Sequence, residues 1–175
     1  SSRVTFDGPQ SMTLATDCPA EEFWDLVIDR PGGALRPMDS VYVNGQLTIA
    51  NGYWSSFVGG LQHHLRGNVY VHPGGAWGDS DPANTVRFTG TTDATINYAG
   101  TNGYFSNIAI DKSGGAHVRL LSDIIQLGGV SLTVAQGTYD LDGHLDRVTG
   151  GVTVGSNAVL IVDAGAKLQL GSSSN

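Results

Sequence analysis

Pairs of apolar residues that alternate with polar ones recur along the chain, with steps of 16 to 24 in residue number. In order, the pairs are Val4/Phe6, Leu26/Ile28, Leu47/Ile49, Val69/Val71, Val86/Phe88, Ile108/Ile110, Leu132/Val134, Val152/Val154 and Leu168/Leu170. Strict alternation places both members of a pair on one face of a β-strand. A recurrence of about 20 residues is typical of a solenoid, in which the stacking of parallel strands from successive turns buries that face.

A longer repeat contains these shorter steps. Val4–Gly8 matches Val86–Gly90, and Phe23–Ala34 matches Phe105–Ala116, both at an offset of 86 − 4 = 82. Later matches have offsets of 85 and 83, and Leu168–Leu170 follows the second copy of the first motif at the same offset of 82. The chain is therefore expected to consist of tandem copies of one unit of about 82 residues.

The two patterns together predict an all-β chain folded as one parallel, right-handed β-helix of about eight rungs. This solenoid spans residues 1–175, with copy one at 4–85, copy two at 86–167 and the start of a third copy at 168–175. The alternative is two Ig-like β-sandwiches of about 82 residues each. The even spacing of the strands and the lack of a linker between copies favour the solenoid.

Composition supports a β-structure and excludes some functions. The 175 residues include 25 Gly, only 14% are charged, and Lys and Glu, which favour helices, occur twice each. The net charge of −7 disfavours nucleic-acid binding. No apolar run of about 18 residues or more occurs, so no membrane insertion is expected. The single cysteine, Cys18, excludes an intramolecular disulfide framework, and the sequence leaves open whether its thiol is free.

Three aspartates make calcium the one candidate cofactor. Asp140, Asp142 and Asp146 lie at alternate positions around a glycine, as oxygen ligands of Ca²⁺ often do. Ordinary turn aspartates are the alternative interpretation. His63 and His64 would point to opposite faces of a strand, so they are expected to be exposed polar residues rather than a shared metal site.

The same carboxylates raise the question of catalysis. Asp140 and Asp142 alternate so as to share a strand face, and polysaccharide cleavage needs two carboxylates across a cleft. Copy one has Ser55 and Phe57 at the matching positions, and no basic residue flanks them. We therefore expect no enzyme activity, no catalytic residues and no cofactor-binding residues.

Aromatic residues and the two chain ends are the candidate interaction surfaces. Trp54, Phe57 and Trp77 are expected to contact either another subunit or a sugar, with interior packing as the alternative. The chain begins and ends on β-patterns that have no polar cap. Val4, Phe6, Leu168 and Leu170 are therefore expected to join copies head to tail in an open filament.

Four segments resemble the tandem β-helical repeats of large secreted bacterial surface proteins, many of them exported by the type IX route. The segments are Phe105–Gly115, Gly137–His144, Gly150–Ser156 and Ala166–Ser173. The resemblance implies an extracellular or cell-surface location and a structural role in a filament, stalk or surface layer, with the chain itself as partner. A carbohydrate- or surface-binding adhesin module that recognises surface glycans is the second hypothesis, and a polysaccharide-degrading β-helix enzyme the third. The family shares no catalytic signature, so no site residues carry over.

Overall fold

The computed structural model describes residues 2–15, 21–79, 81–100, 103–126 and 129–171. Within these residues the chain forms β-strands and turns and no helix, so no helix there could cross a membrane. Cys18 lies outside the described residues.

Most strands are short because glycine-rich turns separate them. The strands are β1 (Arg3–Asp7), β2 (Met12–Leu14), β3 (Glu21–Phe23), β4 (Asp25–Pro37), β5 (Val41–Val43), β6 (Leu47–Trp54), β7 (Gln62–Leu65), β8 (Val69–Trp77), β9 (Thr85–Gly90), β10 (Ala94–Tyr98), β11 (Asn107–Lys112), β12 (His117–Leu120), β13 (Ile124–Gln126), β14 (Leu132–Asp140), β15 (Leu145–Val148), β16 (Val152–Ile161) and β17 (Lys167–Leu170). All the pairings between them are parallel, which requires a connection that winds around the molecule between partners.

Each turn of the chain adds one strand segment to each of three parallel ladders, which we name the first, second and third sides. The first side contains β1, the starts of β4, β6 and β8, then β10, β12 and the ends of β14 and β16. The second side contains β2, the ends of β4, β6 and β8, and then β13, β15 and β17. The third side contains β3, β5, β7, β9, β11 and the starts of β14 and β16.

The structure is therefore a β-solenoid of parallel stacked strands, as the sequence predicts. It has about seven turns, where about eight rungs were expected. The difference arises at Val86/Phe88, which does not continue the ladder of Val69/Val71. Val86 pairs instead with His63 and Ile108 on the third side. Apolar residues alternate in the same way on every side of a solenoid. The sequence pattern therefore does not distinguish a full turn from the shorter step between Val69/Val71 on the first side and Val86/Phe88 on the third.

Columns of apolar side chains run through the centre, one residue from each turn. On the first side Leu26, Leu47, Val69, Ile96 and Leu120 are in register and at most 1% exposed. Full burial of one such side chain stabilises the fold by about 1.5–3 kcal/mol. Because each residue is covered by the turns above and below, the core exists only where turns are stacked.

Two glycines allow long strands to bend from one side to the next. Gly52 bends β6 from the first side to the second, and Gly137 bends β14 from the third side to the first. Both have positive φ, at 82° and 81°, where side chains other than glycine are strained. A Cβ on Gly137 would also lie 2.7 Å from the carbonyl oxygen of Lys112 in the preceding turn. The chain can therefore bend sharply at these two corners only because both residues are glycine.

The largest core side chains form a column of rings on the second side. Trp54 and Trp77 stack with centroids 5.0 Å apart at 20°, and Phe105 continues the column 5.0 Å from Trp77. All three are fully buried. The prediction that Trp54 and Trp77 form an interaction surface is therefore wrong, because the stacking of successive turns places both rings inside. Phe57 is 72% exposed, with the guanidinium of Arg36 4.7 Å from its ring centre.

Replacing Trp77 with alanine should destabilise the chain by about 3–5 kcal/mol, because the substitution leaves a large cavity between Trp54 and Phe105. Phe57→Ala, as the matched control, should change the free energy of unfolding by less than about 1 kcal/mol. Urea unfolding followed by circular dichroism measures both. Equal effects of the two substitutions would contradict the placement of this ring in the core.

Candidate functional site

The three aspartates that the sequence offers as candidate calcium ligands do not converge. Asp146 is fully buried, whereas the carboxylates of Asp140 and Asp142 lie 3.3 Å and 3.9 Å from the Arg119 side chain. The described residues contain no group of three or more His, Cys, Asp or Glu that could hold a metal ion. The alternating pattern fails as a ligand signal because a turn with positive φ at Asp142 and Gly143 separates Asp140, at the end of β14, from Asp146 on β15.

Asp146 instead belongs to a polar cluster inside the second half of the solenoid. Its carboxyl group accepts hydrogen bonds from the Tyr139 hydroxyl at 2.9 Å and from the Gln126 side-chain amide at 2.8 Å. Burial raises the pKa of Asp146 to about 6, although both hydrogen bonds oppose the shift. Burial also raises the pKa of the Tyr139 hydroxyl well above its usual value. This cluster is closed to solvent and holds turns together.

A second interior cluster contains His63, Asp79 and Asn84, all fully buried. The Asn84 amide donates to the Asp79 carboxyl at 2.9 Å, and His63 Nδ1 accepts from the backbone N–H of Val41 at 3.3 Å. His63 Nε2 lies 3.9 Å from Asp79 Oδ2, too far for a hydrogen bond. Burial lowers the pKa of His63 to about 3 and raises that of Asp79 to about 6. The expectation that His63 is exposed is wrong, and its burial leaves no path for a substrate.

A groove on the surface is open to ligands. It has a volume of about 670 Å³ and follows the corner between the third and first sides. Its walls are formed by Glu22, Trp24, Asn44, Arg66 and the segment 89–92. These residues come from successive turns, which are spaced by about 4.8 Å, so the groove runs along the solenoid axis.

Aromatic, polar and charged groups face each other in this groove. Trp24 is 51% exposed, the largest exposure among the three tryptophans. The Asn44 amide donates a hydrogen bond of 2.5 Å to Glu22 one turn earlier. The guanidinium of Arg66 has no hydrogen-bond or ion-pair partner among the residues that the structure describes. The groove thus offers an apolar face together with donors and acceptors.

Lys112 fixes the floor of the groove from inside. Its ammonium group is buried and donates to the carbonyl oxygens of Arg66 at 2.7 Å and Thr92 at 2.8 Å. Desolvation lowers the pKa of Lys112 to about 8, so it remains mostly protonated at neutral pH. These two hydrogen bonds connect Lys112 with the chain segments that follow β7 and β9, and they hold the backbone of two successive turns in place beside the groove.

The last turn forms a further surface with uncovered core positions. Val154 continues the column of the fully buried Val134 yet is 44% exposed, and Leu170 continues that of the fully buried Val148 yet is 59% exposed. At the other end Val4 and Phe6 lie on β1 and are only partly buried. The residues predicted for assembly at the chain ends therefore do occupy the first and last turns.

The comparisons with known proteins give no functional assignment. No protein family matches the chain, and no curated protein or solved structure is significantly similar to it. The resemblance to bacterial surface repeats therefore stays a prediction, and the groove and the end turns are the structural features that bear on function.

The sequence carries a signal for the groove that the search for repeats did not use. The residue numbers of Glu22, Asn44 and Arg66 differ by 44 − 22 = 22 and 66 − 44 = 22, close to one turn of the solenoid. Residues at that spacing occupy the same position on consecutive turns. A search for polar residues at the turn period, rather than within one strand, would have found them.

Substituting Asp146 with asparagine tests the burial of its carboxyl group. Folding raises the pKa of Asp146 from 3.8 to about 6, so the folded state holds this proton more tightly than the unfolded state does. The resulting stabilisation is present below pH 4 and is lost as the pH rises through 6. Asparagine does not titrate, so the stability of Asp146→Asn relative to wild type should increase by about 2–3 kcal/mol between pH 4 and pH 7.

Urea unfolding at a series of pH values measures the difference in stability between the two proteins. The other buried groups are the same in both, so their contributions cancel in this difference. The substitution Asp7→Asn, which makes the same chemical change at an exposed position, is the matched control. A difference that stays constant from pH 4 to pH 7 would show that Asp146 is not buried as a neutral acid.

Proposed function

We propose that this chain is a structural solenoid segment that joins end to end with further copies of itself. In this proposal it forms part of an extracellular filament, stalk or surface layer of a bacterium. The observation that carries the proposal is the uncovered core of the last turn, where Val154 and Leu170 are exposed at positions that are fully buried one turn earlier.

The unpaired strand edges support the same proposal. Among the described residues, β16 and β17 pair only with the preceding turn, and β1, β2 and β3 pair only with the following one. Such edges present free backbone N–H and C=O groups to any strand that fits them. A second copy satisfies these groups and buries the exposed apolar columns in one step.

We also propose that the solenoid is right-handed and is built from a unit of about 82 residues. Right-handed crossovers are strongly favoured between parallel strands. On the first side successive turns start at Leu26, Leu47 and Val69, so one such unit amounts to between three and four turns. A unit that ends partway through its fourth turn begins the next copy on a different side. This agrees with the positions of the matching pairs, since Val4/Phe6 lie on the first side and Val86/Phe88 on the third.

The order of the sides supports one way of joining two copies. The last strand segments follow the order third, first and second side, and the first strands β1, β2 and β3 follow the order first, second and third. The spiral continues without a missing strand if the next copy is rotated by one side. Its β1 then lies against the start of β16 on the third side.

Leu170→Lys should prevent assembly, because a lysine on the open face places a charge where the next copy must bury an apolar column. Ile125→Lys introduces the same charge at a half-exposed position on β13, away from the ends, and should assemble like wild type. Analytical ultracentrifugation across a range of concentrations, with electron microscopy, measures the result. A wild-type chain that stays monomeric throughout would contradict the proposal.

The rotated arrangement can be tested by cross-linking in a Cys18→Ser background. With Val4 against Val152 and Phe6 against Val154, the side chains of Thr5 and Thr153 face outward about 4.8 Å apart, within reach of a disulfide. Thr5→Cys with Thr153→Cys should therefore give covalent oligomers on oxidation.

The control pair, Thr5→Cys with Asp163→Cys, joins positions that become neighbours on the first side only if the next copy is not rotated, because the first-side register that runs from Thr5 through Asn97 leads to Asp163 in the last turn. It should stay largely monomeric in denaturing gels. More cross-linking by the control pair than by the test pair would show that copies join without the rotation.

A further inference from the structure

The groove beside Trp24 has features that the end-to-end contacts do not use. We propose that it binds a neutral oligosaccharide lying along the solenoid axis. This inference does not require the proposed assembly, since the groove opens on the flank of the solenoid: Glu22 and Trp24 belong to the first turn, and Asn44, Arg66 and the segment 89–92 belong to the turns that follow.

Trp24 provides the apolar face that such a ligand needs. Half of its surface is exposed, whereas the other two tryptophans are completely buried. Its position depends on Gly45, because a Cβ at that residue would lie 3.2 Å from Cδ1 of the indole. A fixed, exposed indole matches the C–H face of a sugar ring and has a flat area that one ring can cover.

The polar groups of the groove match sugar hydroxyls, which both donate and accept hydrogen bonds. Glu22 accepts, the guanidinium of Arg66 donates in several directions, and the threonine hydroxyls at 89, 91 and 92 do both. Lys112 holds the backbone of Arg66 and Thr92 from inside the protein, so the positions from which these two side chains project into the groove are preorganised. Preorganised partners bind a flexible chain at a lower entropic cost.

Charge favours a neutral ligand over an acidic one. Glu22 and Arg66 cancel each other in the groove, and the whole chain carries a net charge of −7. A polyanionic glycan would be repelled at long range and would gain only one direct cation. A neutral glycan avoids this repulsion and uses both side chains as hydrogen-bond partners.

The shape of the groove favours a chain of sugars over a single small molecule. Its lining residues come from four successive turns, from Trp24 through Asn44 and Arg66 to Thr89. The turn spacing of about 4.8 Å is similar to the length of one sugar residue in an extended glycan. An oligosaccharide along the axis therefore meets equivalent positions of successive turns.

Titration with soluble hexasaccharides tests the inference, using the monomeric Leu170→Lys variant so that assembly does not interfere. The probes are β-1,4- and α-1,4-linked glucose, β-1,4-linked N-acetylglucosamine and, as the acidic probe, galacturonate. At least one neutral probe should bind by calorimetry and should protect the Trp24 fluorescence from acrylamide quenching. Trp54 and Trp77 are already buried and contribute little to that change.

Trp24→Ala should weaken binding of that probe by at least about tenfold. Trp24→Phe keeps an aromatic face and should lose only a few-fold in affinity. Phe57 is an exposed aromatic residue outside the groove, so Phe57→Ala should bind the probe like wild type. Absence of binding by all neutral probes at millimolar concentration, binding of the acidic probe alone, or full binding by Trp24→Ala would each overturn the inference. None of these results bears on assembly, which is read by sedimentation.

Discussion

Parallel stacking of one turn on the next is the interaction on which the whole structure depends. Backbone hydrogen bonds and apolar columns both run along the axis, so each turn is stable only because its neighbours cover it. Leu26 and Leu47 are completely buried for this reason, and Leu170 is exposed because no described strand covers it. The same constraint makes the three sides regular and explains why core positions are exposed in the first and last described turns.

Stacking also explains which parts of the fold could be predicted from the sequence. Alternation within a strand and recurrence near one turn are local patterns, and they correctly predicted parallel stacked strands. They could not identify the side on which a strand lies, because Val86/Phe88 on the third side has the same pattern as Val69/Val71 on the first. The side depends on how many residues each corner uses, and that depends on glycines such as Gly52.

The direction of individual side chains was harder to predict than the strands. Tryptophan and histidine occur both on surfaces and in cores, so composition did not show that Trp54, Trp77 and His63 point inward. Asp146 was a candidate calcium ligand, yet its partners Tyr139 and Gln126 lie 7 and 20 residues away in the sequence. Only the register between turns brings those groups together, and no pattern within one strand contains that information.

The regular spacing of turns gives the flank and the ends different capacities. On the flank, a position repeated at the turn period becomes a row of side chains along the axis, so exchanging a few residues creates a groove without changing the core. Glu22, Asn44 and Arg66 form such a row, and its floor is held by Lys112 inside the protein. At the ends, the same periodicity leaves a complete turn uncovered. If copies stack with a rotation of one side, the grooves of adjacent copies lie on different flanks of the fibre, so a straight glycan along the axis would bind one copy and gain no avidity from the adjacent ones.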